Sequence, residues 1–115
     1  PAPVFAALGD SVRLRLAVRL AVDGPLSIAR LTAGTGVTRQ AVTKHLLVMA
    51  DAGLARGRRQ GRERLWELYP EPLDEARRCL ALISESWDEG LARLKQFVEE
   101  DKGGPAGKAD TAGKA

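Results

Sequence analysis

The chain has 115 residues, with 18 Lys and Arg against 15 Asp and Glu and a formal charge of +3. That length allows one small domain and little more. No apolar run approaches the roughly 18 residues of a membrane span, and no basic-then-apolar leader opens the chain, so a cytoplasmic protein without a membrane partner is expected. One cysteine, Cys79, and one histidine, His45, exclude an intrachain disulfide framework, a Cys-x-x-Cys site and a His-rich metal site.

The charge is unevenly spread. From Val37 to Tyr69 there are seven basic and three acidic residues; from Pro70 to Asp101 there are four basic and nine acidic. A basic middle beside an acidic C-terminal part suggests that one segment faces an anion and the other does not.

In chain order, Val4–Leu8 is a short apolar segment that reads as one or two helical turns. Asp10 or Ser11 can cap the next helix, whose Val12, Leu16, Ala17 and Leu20 share a face. Gly24-Pro25 ends it. Ser27 is a plausible cap for a short helix bearing Ile28 and Leu31, closed by Gly34 and Gly36. A further helix over Thr38–Ala52 ends at Gly53. Two short helices joined by a tight glycine-containing turn have the helix-turn-helix outline.

From Leu54 to Tyr69 the period changes to two, around a glycine-containing turn, which reads as a β-hairpin. Its tip, Arg58-Arg59-Gln60-Gly61-Arg62, is strongly basic. Pro70-Glu71-Pro72 breaks the strand, with Pro72 suited to the first position of a helix. Leu73, Ala76, Leu80, Ile83, Trp87, Gly90, Leu94 and Phe97 then recur at threes and fours, widened by Leu91 and Val98. Residues 101–115 lack apolar periodicity and read as a disordered tail following a domain over residues 1–100.

The Thr38–Ala52 helix carries the chemistry. At about 100° per residue, Val42, Leu46 and Met49 occupy one narrow sector. Gln40, Lys44 and Leu47 lie opposite, with Arg39 and Thr43 on the flank. The polar residues fall in the first two turns, where a recognition helix meets base edges. Gln can pair with adenine, and Arg or Lys with guanine; the helix N-terminus offers free N–H groups to phosphate. Polar residues on an outer helix face usually only meet water. A helix-turn-helix followed by an arginine-tipped hairpin is, however, a winged helix, and Arg58, Arg59 and Arg62 could then contact phosphates.

The segments "ALGDSVRLRLAVRL", "VTRQAVTKHLLVMADAGLA" and "GRRQGRERLWEL" resemble the ArsR family of bacterial winged-helix repressors, over roughly Val4 to Val98. The resemblance implies a mainly α fold with a small β-hairpin, and a homodimer formed by the N-terminal and long C-terminal helices on a dyad-symmetric operator. It further implies that Gln40, Thr43, Lys44 and His45 lie on the DNA-reading helix and Arg62 in the wing. The expected DNA-binding set is therefore Thr38, Arg39, Gln40, Thr43, Lys44, His45, Arg58, Arg59 and Arg62. The expected dimer interface is Val4, Phe5, Leu8, Ile83, Trp87, Leu91, Leu94 and Val98, centred on Trp87, Leu91 and Leu94.

Metal-sensing members of that family carry a cysteine pair before the recognition helix; here the segment is "LSIARLTAGTG". A second family site uses Asp, His and Glu on the last helix, which here has acids but no histidine. No metal and no cofactor are expected. Cys79, among Leu80 and Leu82, reads as a small buried hydrophobe, and Trp66 and Tyr69 as packing residues. His45, at the edge of the apolar sector, fits either a partly buried role or a DNA contact, and it has no obvious carboxylate partner nearby in sequence. Leu47, apolar on the outward side, could touch thymine methyls or pack on a neighbouring element.

The expected function is a DNA-binding transcriptional regulator, a homodimeric repressor that does not respond to metal, with room for a small-molecule effector of unknown identity. The alternative is a winged-helix protein-interaction module without operator specificity. No nucleophile–base pair, phosphate loop or metal cluster suggests an enzyme.

Overall fold

The computed structural model describes residues 1–100; the expected tail at 101–115 lies outside the described residues. Helix α1 (Ala2–Leu8) buries Val4 and Ala7. Helix α2 (Ser11–Asp23) is capped by Asp10, not Ser11: the carboxylate accepts from the backbone N–H of Val12 at 2.9 Å and of Arg13 at 3.1 Å. Leu16, Ala17 and Leu20 form its buried face. Strand β1 (Leu26–Ser27) leads into α3 (Ile28–Thr32), whose Ser27 cap accepts from Arg30 N–H. Helix α4 (Arg39–Asp51) follows, then β2 (Ala55–Gln60), β3 (Glu63–Leu68) and α5 (Pro70–Glu100).

The hairpin expected from the alternation is present, but it belongs to a three-stranded antiparallel sheet of order β1-β3-β2. Leu26 pairs with Trp66 and Ser27 with Leu65. A two-residue strand is too short to show a period, so only the pairing reveals it. Gly61 (φ 65°) and Arg62 make the tight turn between Gln60 and Glu63. The positive φ explains why glycine sits there.

The core draws on every element of the first compact unit, Pro1–Arg77. Leu16, Leu31, Val42, Leu46, Met49 and Leu54 are fully buried, and Leu20, Leu26, Ala55 and Trp66 join them. Each large aliphatic side chain buried there contributes about 1.5–3 kcal/mol. Trp66 and Leu26 meet across the β1–β3 ladder, so the wing's strands are anchored in the same core that holds α4.

Helix α5 starts at Pro70, one strand-end residue after Leu68, and not at Pro72. Both prolines fit within the first turn because no N–H is used there. Its beginning supplies Ala76 and Leu73 to the first unit's core. Residues 78–100 belong to a second unit, where Leu80, Leu82, Ile83, Trp87, Leu91, Phe97 and Val98 are each exposed.

The N-terminal residues of the expected dimer interface take part in the domain's own core. Val4 is only 4% exposed and belongs to the domain's own core, with Phe5 and Leu8 partly buried against it.

Candidate nucleic-acid interface

Helix α4 begins one residue later than its sequence pattern suggests. Thr38 is its N-cap, and its Oγ1 accepts from Ala41 N–H at 3.1 Å. The preceding turn is built to deliver that cap. Gly34 and Gly36 take φ of 81° and 76°, conformations that L side chains rarely adopt. Between them Thr35 Oγ1 donates to Thr32 carbonyl at 2.8 Å and accepts from Val37 N–H at 3.4 Å. Arg19 closes the other side, with Nη1 donating to the carbonyls of Arg30 and Ala33 at 3.0 and 3.2 Å. The turn is therefore fixed from three directions before α4 starts.

With Val42, Leu46 and Met49 held in the core, Arg39, Gln40 and Lys44 are exposed. None of the three side chains has a hydrogen-bonding or ionic partner among the described residues. Thr43 is half-buried, and its hydroxyl donates to Arg39 carbonyl at 2.9 Å. Its one proton is therefore engaged, leaving two acceptor lone pairs and the methyl group. Leu47 is 51% exposed and Val48 42%. Leu47 is not among the described hydrophobic residues packed on the core.

His45 is placed differently from the rest of the expected set. It is half-buried, with Nδ1 3.1 Å from Arg13 Nη1 and 3.9 Å from Asp10 Oδ2. Arginine has only donors, so in this contact Nδ1 is the acceptor. Arg13 also donates from Nε to Ala7 carbonyl at 2.7 Å, tying α1, α2 and α4 through one side chain. The Asp10 carboxyl is held below its ordinary value, first by the backbone N–H of Arg13 and also by that of Val12 and the nearby charge of Arg13, against a partial desolvation that raises it. Sequence distance hid the carboxylate partner of His45; the N-cap position of Asp10 was the available clue.

The wing holds a second charged cluster. On one face Arg56 and Arg58 meet Glu67 across the ladder, at 2.7 and 3.3 Å. Tyr69 lies under Arg56, with the guanidinium 4.7 Å from its ring centre. Bonding to Glu67 raises the Arg56 pKa, and bonding to Arg56 lowers that of Glu67. On the opposite face Arg64 folds back to 5.4 Å from the Trp66 ring centre. It crosses Gly57, where a Cβ would come within 2.7 Å of Arg64 Nε. Arg59 and Arg62 at the tip are exposed and have no partner among the described residues. Trp66 is a packing residue, 3% exposed.

The structure thus brings Arg39, Gln40, Thr43 and Lys44 together on the outer side of one helix, and Arg59 and Arg62 at one hairpin tip. It sets His45 on the inner edge and pairs Arg58 with an acid that sequence reasoning did not single out. A capped helix after a fixed turn, followed by a basic hairpin rooted in the same core, defines a winged helix-turn-helix domain of the kind found in transcriptional regulators.

Comparison with known proteins agrees. The chain matches no protein-family model. It is 38% identical over 76 residues to an uncharacterized HTH-type transcriptional regulator, YuzN, of Bacillus subtilis, covering 61% of this chain and 83% of the relative. An ArsR-like transcriptional regulator from Rhodococcus sp. RHA1 superposes with a TM-score of 0.68 at 34% identity, over 84% of this chain and 90% of that one. A homodimeric winged helix-turn-helix DNA-binding domain from Mycobacterium bovis superposes at 0.57 with 26% identity, over 80% and 82%. The chain belongs to the ArsR family of winged helix-turn-helix transcriptional regulators, a non-enzymatic family.

Proposed function

We propose that the protein is a homodimeric repressor that binds a dyad-symmetric operator through α4 and the wing and does not respond to metal. The observation that carries the reading is the set of uncommitted polar side chains, Arg39, Gln40 and Lys44, on the outer side of a helix whose inner side is fully buried. Gln40 reads adenine and Arg39 or Lys44 guanine. Arg59 and Arg62 grip phosphate, Thr38 and Thr43 complete the surface and His45 supports it from the inner edge, while Arg58 is bound to Glu67.

The exposed apolar face of α5 supports dimerisation. Ile83, Trp87, Leu91 and Val98 are 59%, 57%, 43% and 51% exposed, more than an isolated soluble chain usually leaves on one stripe. The likeness to a homodimeric winged-helix domain supports the same reading. A symmetric pair would present two recognition helices to half-sites about 34 Å apart. Against metal sensing stands the ligand supply: one cysteine and one histidine in the whole chain, and among the described residues no group of three potential ligands arranged to hold an ion. Among the described residues no helix is long and apolar enough to cross a membrane.

Selection of preferred duplexes from a random pool, repeated with zinc and with reductant, tests the reading. Enrichment of one palindrome under all conditions is expected. No enriched sequence would refute operator recognition, and release by zinc would refute metal independence.

A further inference from the structure

The wing carries an acid in the middle of its basic surface. Glu67 faces Arg56 across the ladder, with Arg58 two residues along the same face. One oxygen, Oε2, receives both Nε groups, at 2.7 Å from Arg56 and 3.3 Å from Arg58. The Glu67 side chain is 18% exposed, against 52% and 44% for the two arginines, so the carboxylate sits beneath them. Arg56 has a second anchor, donating from Nη1 to the Tyr69 hydroxyl at 3.3 Å. Among the described residues Arg58 has Glu67 alone. One negative charge therefore serves two cations, and Arg58 is the more loosely held.

We propose that Glu67 withholds Arg58 from DNA, so that the wing engages phosphate through Arg59 and Arg62. This rests on the DNA-binding reading above. Each cation that neutralises a phosphate releases condensed counterions and steepens the salt dependence by about 0.9 in log–log slope. For Arg58 to make such a contact it must leave Glu67, and the abandoned carboxylate would then face the phosphate backbone. The effect falls hardest on DNA lacking the operator, where phosphate contacts supply nearly all the affinity. Glu67 in this way limits how strongly competing sequences hold the protein.

The test is a double-mutant cycle of Arg58→Ala and Glu67→Gln, read as the salt slope on a duplex without operator. Glutamine keeps the shape and an acceptor oxygen for Arg56. The Glu67→Gln protein is expected to bind about three- to tenfold tighter at low salt, with a slope steeper by about 0.9. Arg58→Ala alone is expected to leave the slope unchanged, and in the Glu67→Gln background to restore the wild-type slope. An unchanged slope in Glu67→Gln would overturn the proposal. So would a flatter slope in Arg58→Ala alone, which also stands as a test if the glutamine variant does not fold. A wild-type protein that bound neither this duplex nor a selected operator would overturn the DNA-binding reading and this inference with it.

Discussion

Arg13 Nη1 lies 3.1 Å from His45 Nδ1, joining the capped first turn of α2 to the middle of α4. The contact needs His45 as acceptor, and it orients Arg13 toward Ala7 carbonyl as well. His45→Ala should therefore lower stability by on the order of 1 kcal/mol, the usual net value of a partly buried hydrogen bond. A urea denaturation midpoint equal to that of the wild type would show that the link carries nothing.

The same corner sets a pH dependence. The folded Asp10 carboxyl lies below its ordinary value of 3.8, with the Arg13 N–H as the first cause. A depressed carboxylate contributes stability that is present above the unfolded pKa and lost as pH falls through the folded one. Asp10→Ala should thus be less stable than wild type above about pH 5, with the gap closing below the ordinary 3.8. Parallel thermal melts between pH 7 and 2 measure it; a gap that persists undiminished in acid would contradict the assignment.

Thr38 sits at the hinge between turn and reading helix, and its Oγ1 supplies the helix's N-cap bond to Ala41 N–H. Thr38→Ala should cost about 0.5–2 kcal/mol and Thr38→Ser much less. Chemical denaturation distinguishes them, and equal losses in both would place the role of Thr38 outside the cap.

How much of this was visible beforehand depends on range. The apolar sector of α4, the wing's alternation and the α5 stripe are local periodicities, and Val42, Leu46, Met49, Trp66 and Trp87 fall where those periods put them. The pairing of Leu26 with Trp66 and the contact of His45 with Arg13 join residues far apart in sequence, and nothing local encodes them. Arg58 and Glu67 are an intermediate case. Once Gly61-Arg62 is taken as the two-residue turn, the register places Arg56 opposite Glu67, so a register count would have found the acid beneath the arginines. Val4 shows the same limit, since an apolar residue on a short helix looks the same in sequence whether it closes its own core or meets a partner.

Trp66 offers a test of the sheet. It is 3% exposed, and its Nε1–H is buried with no acceptor among the described residues. An unpaired buried donor costs about 1–3 kcal/mol, so Trp66→Phe loses packing area but relieves that penalty. It should be nearly neutral, while Trp66→Ala should cost about 3–5 kcal/mol. Similar losses for both would mean that Nε1 is satisfied in solution.

Trp87, 57% exposed on α5, should be central to self-association. Trp87→Glu would bury a charge in an apolar interface and is expected to shift sedimentation from dimer to monomer while leaving the melting of the Pro1–Arg77 unit largely intact. A wild-type monomer at micromolar concentration would contradict the dimer.

The most direct measurement is the affinity of wild type and Gln40→Ala for a selected operator and for a scrambled duplex, across a range of salt. The account predicts that wild type prefers the operator by roughly a thousandfold or more and that Gln40→Ala loses about 1–3 kcal/mol on the operator and little on the scrambled duplex. Arg59→Ala, run beside them, should weaken both alike and flatten the salt slope by about 0.9. Equal losses on both duplexes for Gln40→Ala would contradict the claim that this face of α4 reads sequence.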